Sequence, residues 1–260
     1  MTETKIGDVS VALDGNVAQV EIRRPPHNFF DVNLIRNLAE AFEGLDKEPA
    51  CRALVLAAEG KSFCAGANFA SRPAPSEGAS GGGNPLYTEA VRLFACKKPV
   101  VAAIQGPAIG GGFGLALVAD FRVVSPEARF AANFVKLGIH PGFGLTYTLP
   151  RLVGTQKASL LFYTGRRIGG EEALAWGLAD FLVEPSRLRE TATQLAAEIA
   201  ENAPLAVVST RATMRRGIAD AVKAQTDHEL AEQTWLMRTE DHREGVKAVA
   251  ERRPGRFIGK

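Results

Sequence analysis

The chain is short of the residues that several function classes require. Its cysteines are Cys51, Cys64 and Cys96, odd in number, widely spaced and each in apolar company. That excludes a disulfide framework or a cysteine-based zinc site and suits a reduced compartment. The four histidines share no ligand spacing such as HxxxH, so no metal site is predicted. Charge of one sign is missing too. With 31 basic against 29 acidic residues the net charge is +2, which gives no basis for a nucleic-acid or anionic-membrane partner. The aromatics are mostly Phe, and none alternate with basic residues as a base-stacking platform would need. The opening "MTETKIGDVS" has no apolar signal core, and no apolar run approaches the roughly 18 residues of a membrane span. These absences predict a soluble cytoplasmic protein.

What is present is material for one large core, or a core with an appendage: 260 residues, 46% of them apolar. "VSVALDGNVAQVEIRRP" alternates around "DGN" and predicts a hairpin. Leu34, Ile35, Leu38, Phe42 and Leu45 recur at helical spacing over Asn33 to Asp46. Strands are predicted at 52–60, 99–106 and 120–125, with a helix at 86–95. Between them "SRPAPSEGASGGGNP" (71–85) is a Pro-, Gly- and Ser-rich loop, long enough to act as a lid. From about 143 onward helices dominate, with Thr155 and Asp241 as N-caps, the latter in a capping box with Glu244. Short apolar strands suggest a sheet buried on both faces. The reading is an α/β core over 1–200 followed by a helical region over 201–260.

"GPAIGGGFGLALVAD" (106–120) carries the chemistry. A dinucleotide fingerprint needs GxGxxG, but Gly110, Gly112 and Gly114 give GxGxG, with Leu115 where the third glycine should be. No GK[ST] follows, so it is not a P-loop. The context, strand then glycines then helix, still presents backbone N–H groups at a helix start. A thioester oxygen that becomes an enolate or oxyanion would use such donors. "EGKSFCAGANF" (59–69) is a second small-residue turn after a strand, and two turns can offer one N–H each.

These stretches resemble the crotonase, or enoyl-CoA hydratase/isomerase, superfamily. So do "RPPHNFFDVNL", "KKPVVAAIQGPAIGGGFGLALVADFRVVSPEARF", "LPRLVGTQKASLLFYTGRRIGGEEALAWGLADFLVE" and "TEDHREGVKAVAERRPGRFIG", in the family's order over nearly the whole chain. The resemblance implies a ββα spiral core with a C-terminal α-helical trimerisation region, assembled as a homotrimer or hexamer. It implies an acyl-CoA substrate and no permanently bound cofactor. Ala67 and Gly111 would supply the oxyanion-hole N–H groups. Backbone at Cys64, Ala65 and Gly66 would hold the adenine-pantetheine part of coenzyme A, and Arg252 would lie near its phosphates.

The sequence departs from the hydratase pattern. The two glutamates of those enzymes correspond here to Gly114 and Phe134, neither able to move a proton. A chlorobenzoyl-CoA dehalogenase of the family also lacks both, but its aspartate and histidine correspond to Gly142 and Val91. His140 is then the one residue of "KLGIHPGFG" that titrates near neutrality, and it is the candidate for moving a proton. Tyr87 could line the acyl pocket and donate a hydrogen bond, with Phe113 and Phe134, alongside Phe29, Phe30 and Phe143, as apolar wall. Glu89 is expected to be solvated and Asn68 structural. The expected function is an acyl-CoA enzyme working through a thioester enolate or oxyanion, other than a standard hydratase: an isomerase, decarboxylase or hydrolase. The alternative is a non-catalytic acyl-CoA carrier, and a nucleotide-binding protein stands third.

Overall fold

A computed structural model describes residues 3–67 and 84–260. All but the last two residues of the loop expected to act as a lid (71–85), and the role expected of Asn68, lie outside the described residues.

The chain begins with β1 (Glu3–Ile6), β2 (Val9–Asp14) and β3 (Val17–Ile22), an antiparallel meander. Helix α1 (Val32–Lys47) starts where the Asp31 carboxylate accepts the Leu34 N–H at 2.8 Å, an N-cap interaction. Its periodic residues Leu34, Ile35, Leu38, Phe42 and Leu45 are all buried, as the spacing requires. β4 (Ala53–Ala58) follows, then α2 (Pro85–Phe94), capped by Asn84 with proline in its first turn, where the missing N–H costs nothing. β5 (Val100–Ile104), β6 (Pro107–Ile109), α3 (Gly111–Ala116), β7 (Phe121–Val124) and β8 (Arg129–Ala131) complete the strand-rich part.

Seven strands form one sheet, with β1, β2 and β3 followed by β4, β5, β7 and finally β10 (Phe181–Leu182), all parallel from β3 onward. Every residue of β4 and β5 is buried. The two faces divide by alternation. Leu54 and Leu56 join the core that holds α1, while Ala53, Val55 and Ala57 face α7 (Leu188–Ala200) through Leu188, Ala192 and Ala196. A parallel sheet covered on both sides is the expected result of such runs. A second sheet of three strands, β6–β8–β9 with β9 at Arg167–Gly169, stands beside it.

Helices α4 (Leu145–Val153), α5 (Thr155–Thr164) and α6 (Gly170–Ala175) lead to α7, then to α8 (Pro204–Met214), α9 (Ile218–Leu236) and α10 (Glu240–Ala250). Two capping expectations are corrected. α5 starts after Gly154 at φ 80°, with no side-chain cap, and Thr155 is already helical. α10 is capped by Thr239, whose hydroxyl accepts the His242 N–H at 3.0 Å; Asp241 sits inside the helix and its carboxylate accepts from Ile258 and Gly259 N–H instead. α9 packs against α2 and α4, and α10 against 133–137. Among the described residues no helix is long and apolar enough to cross a membrane, and no three His, Cys, Asp or Glu gather into a metal-binding group.

Candidate active site

The turn after β4 is tied to its neighbours by backbone bonds. Cys64 N–H donates to the Pro107 carbonyl and Ile109 N–H to the Cys64 carbonyl, both at 3.0 Å, while Phe30 N–H donates to the Gly66 carbonyl at 2.9 Å. The glycine run lets the next turn close on this one. Gly110 adopts φ 56°, which a side chain resists, and any side chain on Gly112 would collide with the Cys64 carbonyl. The run is therefore first a close-approach device between two turns.

That approach leaves backbone donors without acceptors among the described residues. Gly110 N–H donates to the Ala131 carbonyl at 2.8 Å, and Phe113 and Gly114 N–H to the Gly110 carbonyl at 3.0 and 3.2 Å. Gly111, first residue of α3, has no helical acceptor for its own N–H. Neither it nor Ala67 N–H has an acceptor among the described residues. Both residues line one cavity of about 520 Å³.

Of the residues expected at the site, Ala67, Gly111, Ala65, Gly66, Tyr87, Phe134 and Arg252 all line this cavity, although they come from five separate parts of the chain. Three do not. Cys64 is fully buried with both backbone groups bonded inside the fold, and burial pushes its thiol up to about 12, so it offers a ligand nothing. Phe113 is a core residue, fully buried with its ring 5.2 Å from that of Phe130, because its position on α3 points it away from the turn. His140 lines a different cavity of about 710 Å³, together with Tyr163 and Trp235. Its Nδ1 donates to the Pro141 carbonyl at 2.8 Å and its ring stands edge-on to His228. Glu89 also departs from expectation. It is mostly buried, and although burial raises its pKa, hydrogen bonds from Arg36 and Arg92 prevail and hold the carboxyl below its ordinary range.

The charge on the described wall is of one sign. Arg167 and Arg252 line the cavity, while among the described residues no Asp, Glu, His or Lys does. Position 114 is closed rather than empty, since a Cβ there would lie 2.7 Å from Phe143 Cβ. Phe30 and Phe143, ring centroids 5.5 Å apart, form an apolar wall.

Arg167 and Gln233 were not singled out from the sequence. Gln233 accepts the Tyr87 hydroxyl proton at 2.9 Å from 146 positions away, a pairing no local pattern could reveal. A signal existed on α9 itself: Thr226, Glu229 and Gln233 continue the helical spacing of Val222 and are buried with it, so three polar residues face the core.

Comparisons with known proteins bear on the family and the fold. The family described as enoyl-CoA hydratase/isomerase matches residues 13–260. A carnitinyl-CoA dehydratase from Proteus mirabilis is 35% identical over 254 residues, covering 95% of this chain and 96% of the relative. A short-chain-enoyl-CoA hydratase from Clostridium acetobutylicum is 34% identical over 255 residues, covering 96% and 97%. The crystal structure of an enoyl-CoA hydratase/isomerase from Pseudoalteromonas atlantica T6c superposes with a TM-score of 0.87 at 28% identity, covering 97% of this chain and all of that one. The mixed α/β fold with its C-terminal helices is thus crotonase-like, and the chain belongs to the enoyl-CoA hydratase/isomerase family.

Proposed function

We propose that this chain is an acyl-CoA-processing enzyme that stabilises a thioester enolate or oxyanion through the backbone N–H groups of Ala67 and Gly111. The observation that carries the reading is that these two amides, with no acceptor among the described residues, border one cavity. Preorganised donors of that kind stabilise charge as it develops on the carbonyl oxygen. Ala65 and Gly66 border the same turn, and Arg252, with Arg167, supplies positive charge suited to the phosphates of coenzyme A. Tyr87 and Phe134, with Phe30 and Phe143, bound the acyl group.

The curated relatives are named as a dehydratase and a hydratase. The chemistry proposed for this chain differs, because no carboxylate lines the described wall. Adding water with a paired acid and base needs groups that can take and give protons. Isomerisation, decarboxylation and thioester hydrolysis all draw on the same stabilised oxygen. Decarboxylation asks least, since departing carbon dioxide leaves the enolate without a base. We further propose assembly as a homotrimer or hexamer through the C-terminal helices, where Leu205 and Met214 are largely exposed.

The test is incubation with crotonyl-CoA, malonyl-type acyl-CoAs and unsaturated acyl-CoAs, followed by mass spectrometry. Turnover of a malonyl-type or unsaturated thioester, with hydration of crotonyl-CoA slow or absent, is expected. Rapid crotonyl-CoA hydration would overturn the exclusion of standard hydratase chemistry. Tight acyl-CoA binding with no turnover across the panel would favour a second reading, a non-catalytic carrier, which the same lack of a lining carboxylate supports.

A further inference from the structure

Arg167 and Arg252 bring two guanidinium groups to the cavity wall, and among the described residues neither side chain has an ion pair or a hydrogen bond. An arginine cannot give up its proton, so both charges stay. A guanidinium suits phosphate and carboxylate alike, and position decides between them.

The three-stranded sheet fixes the position of Arg167. Its strands lie in the order β6, β8, β9. Cys64 bridges to Ala108 on the free edge of β6, so the 64–66 turn stands at one side of this sheet and Arg167 at the other. Three strand spacings, about 14 Å, separate the two. The register sets Ile109, Ala131 and Arg167 side by side, and cross-strand neighbours share a face. Ile109 and Arg167 both line the cavity, as do Asn133 and Phe134, which follow β8. Asn133 lies against the glycine turn, since a Cβ on Gly110 would be 3.7 Å from its Oδ1. Its side-chain amide has no hydrogen bond among the described residues.

We infer that Arg167 is a specificity-determining residue that binds a carboxylate on the acyl group, so that the site takes coenzyme A thioesters of dicarboxylic acids. This rests on the acyl-CoA reading of the cavity. With coenzyme A over the 64–66 turn and the thioester oxygen at Gly111, the acyl chain runs toward the row that ends in Arg167. The guanidinium is exposed to water while the cavity is empty. A plain methylene chain would strip that water without replacing it. A carboxylate replaces it with two parallel N–H···O bonds, and Asn133 Nδ2 is a further donor on the same wall.

Calorimetry on the full-length protein tests this with malonyl-, glutaryl- and adipyl-CoA, each against its own monomethyl ester, and with coenzyme A alone. The ester keeps the chain and removes the charge. At least one free acid should bind about tenfold more tightly than its ester, the worth of a hydrogen bond to a charged group. Added salt should narrow that margin. Arg167→Gln should abolish it while leaving coenzyme A and the esters little changed. Arg167→Lys keeps the charge but not the two-pronged geometry, so it should retain only part of the margin. Thermal melts check that the variants fold. The inference is overturned if every free acid binds no more tightly than its ester, or if the margin survives Arg167→Gln. It is also overturned if Arg167→Gln weakens coenzyme A, acids and esters alike, which would put the guanidinium on a phosphate. Absence of binding by every acyl-CoA would instead overturn the acyl-CoA reading, and this inference with it.

Discussion

The Phe143 side chain fills the space into which any side chain on Gly114 would have to grow. A Cβ at 114 would sit 2.7 Å from Phe143 Cβ and 2.8 Å from its Cδ1. Phe143 holds a left-handed backbone, φ 64°, to keep its ring there. The two residues are a matched pair, and a change at one is felt at the other.

Gly114→Ala should therefore destabilise the protein. Alanine is the better helix former by about 1 kcal/mol. Overpacking costs roughly 1–3 kcal/mol, and here the contact is with the root of a side chain rather than its flexible end. The steric term should win. Phe143→Ala removes the obstruction, so the double variant should be more stable than the sum of the single effects requires. Urea unfolding of the four proteins measures the coupling; strict additivity would show that the two positions do not compete for space. By the same argument, Gly114→Glu alone cannot test what a carboxylate at that position does, because Phe143 must first be made smaller.

Much of this was legible in the sequence, for reasons that differ by residue. α1 was readable because its core contacts recur with the period of one helix, and β4 and β5 because a doubly covered strand is apolar throughout. The two turns of the site were readable from their glycines, which report on backbone geometry directly. Side-chain direction was not. Phe113 and Phe143 both follow glycines in apolar company and both are buried in the core, yet only Phe143 lines the cavity, a difference set by where α3 and the segment before α4 point. His140 was singled out for its chemistry, but its side chain lines the other cavity, while its carbonyl accepts from Gln233. The caps of α5 and α10 were misplaced because Gly154 and Thr239 stop the chain one and two residues before the expected caps.

The proposed donor at Ala67 can be removed without removing a side chain. Proline has no N–H, so Ala67→Pro deletes that one hydrogen bond to the thioester oxygen. Loss of a single oxyanion donor typically lowers kcat by about 10²–10³-fold. That drop is expected here, with a far smaller change in acyl-CoA affinity, since the bond strengthens as charge develops. Circular dichroism and a melting curve check that the turn survives. A folded Ala67→Pro protein with wild-type kcat would remove Ala67 from the mechanism.

Arg252 follows the cap of α10 in a left-handed conformation, φ 54°, and lines the cavity. Arg252→Gly suits that backbone and removes only the charged side chain. If the guanidinium meets phosphate, affinity for an acyl-CoA should fall about tenfold, while a thioester of N-acetylcysteamine, which carries no phosphate, should be affected little. The wild-type preference for the phosphorylated thioester should also weaken with added salt, as a charge contact requires. Equal losses for both thioesters would point to packing rather than to phosphate.

Glu229 gives a pH signature that activity need not enter. Its carboxylate is fully buried, and it accepts the Gly144 N–H at 2.8 Å, the Thr146 N–H at 3.1 Å and the Thr146 hydroxyl at 2.5 Å, so it holds the start of α4 against α9. Burial pushes the carboxyl up to about 7, against these hydrogen bonds, which favour the charged form. The unfolded chain titrates in the ordinary range near 4.5, so between that pH and 7 the folded state holds a proton the unfolded state has lost. Stability from this group is fully present below pH 4.5, falls as pH rises through 7 and is level above it. A gap of this size corresponds to at most about 3 kcal/mol. Glu229→Gln keeps an oxygen for the α4 amides but cannot titrate. The stability of wild type minus that of Glu229→Gln, followed by urea unfolding from pH 4.5 to 8, should therefore decline across the range and then flatten. A difference that stays constant, or rises, would mean that the three donors outweigh burial and that Glu229 is ionised throughout.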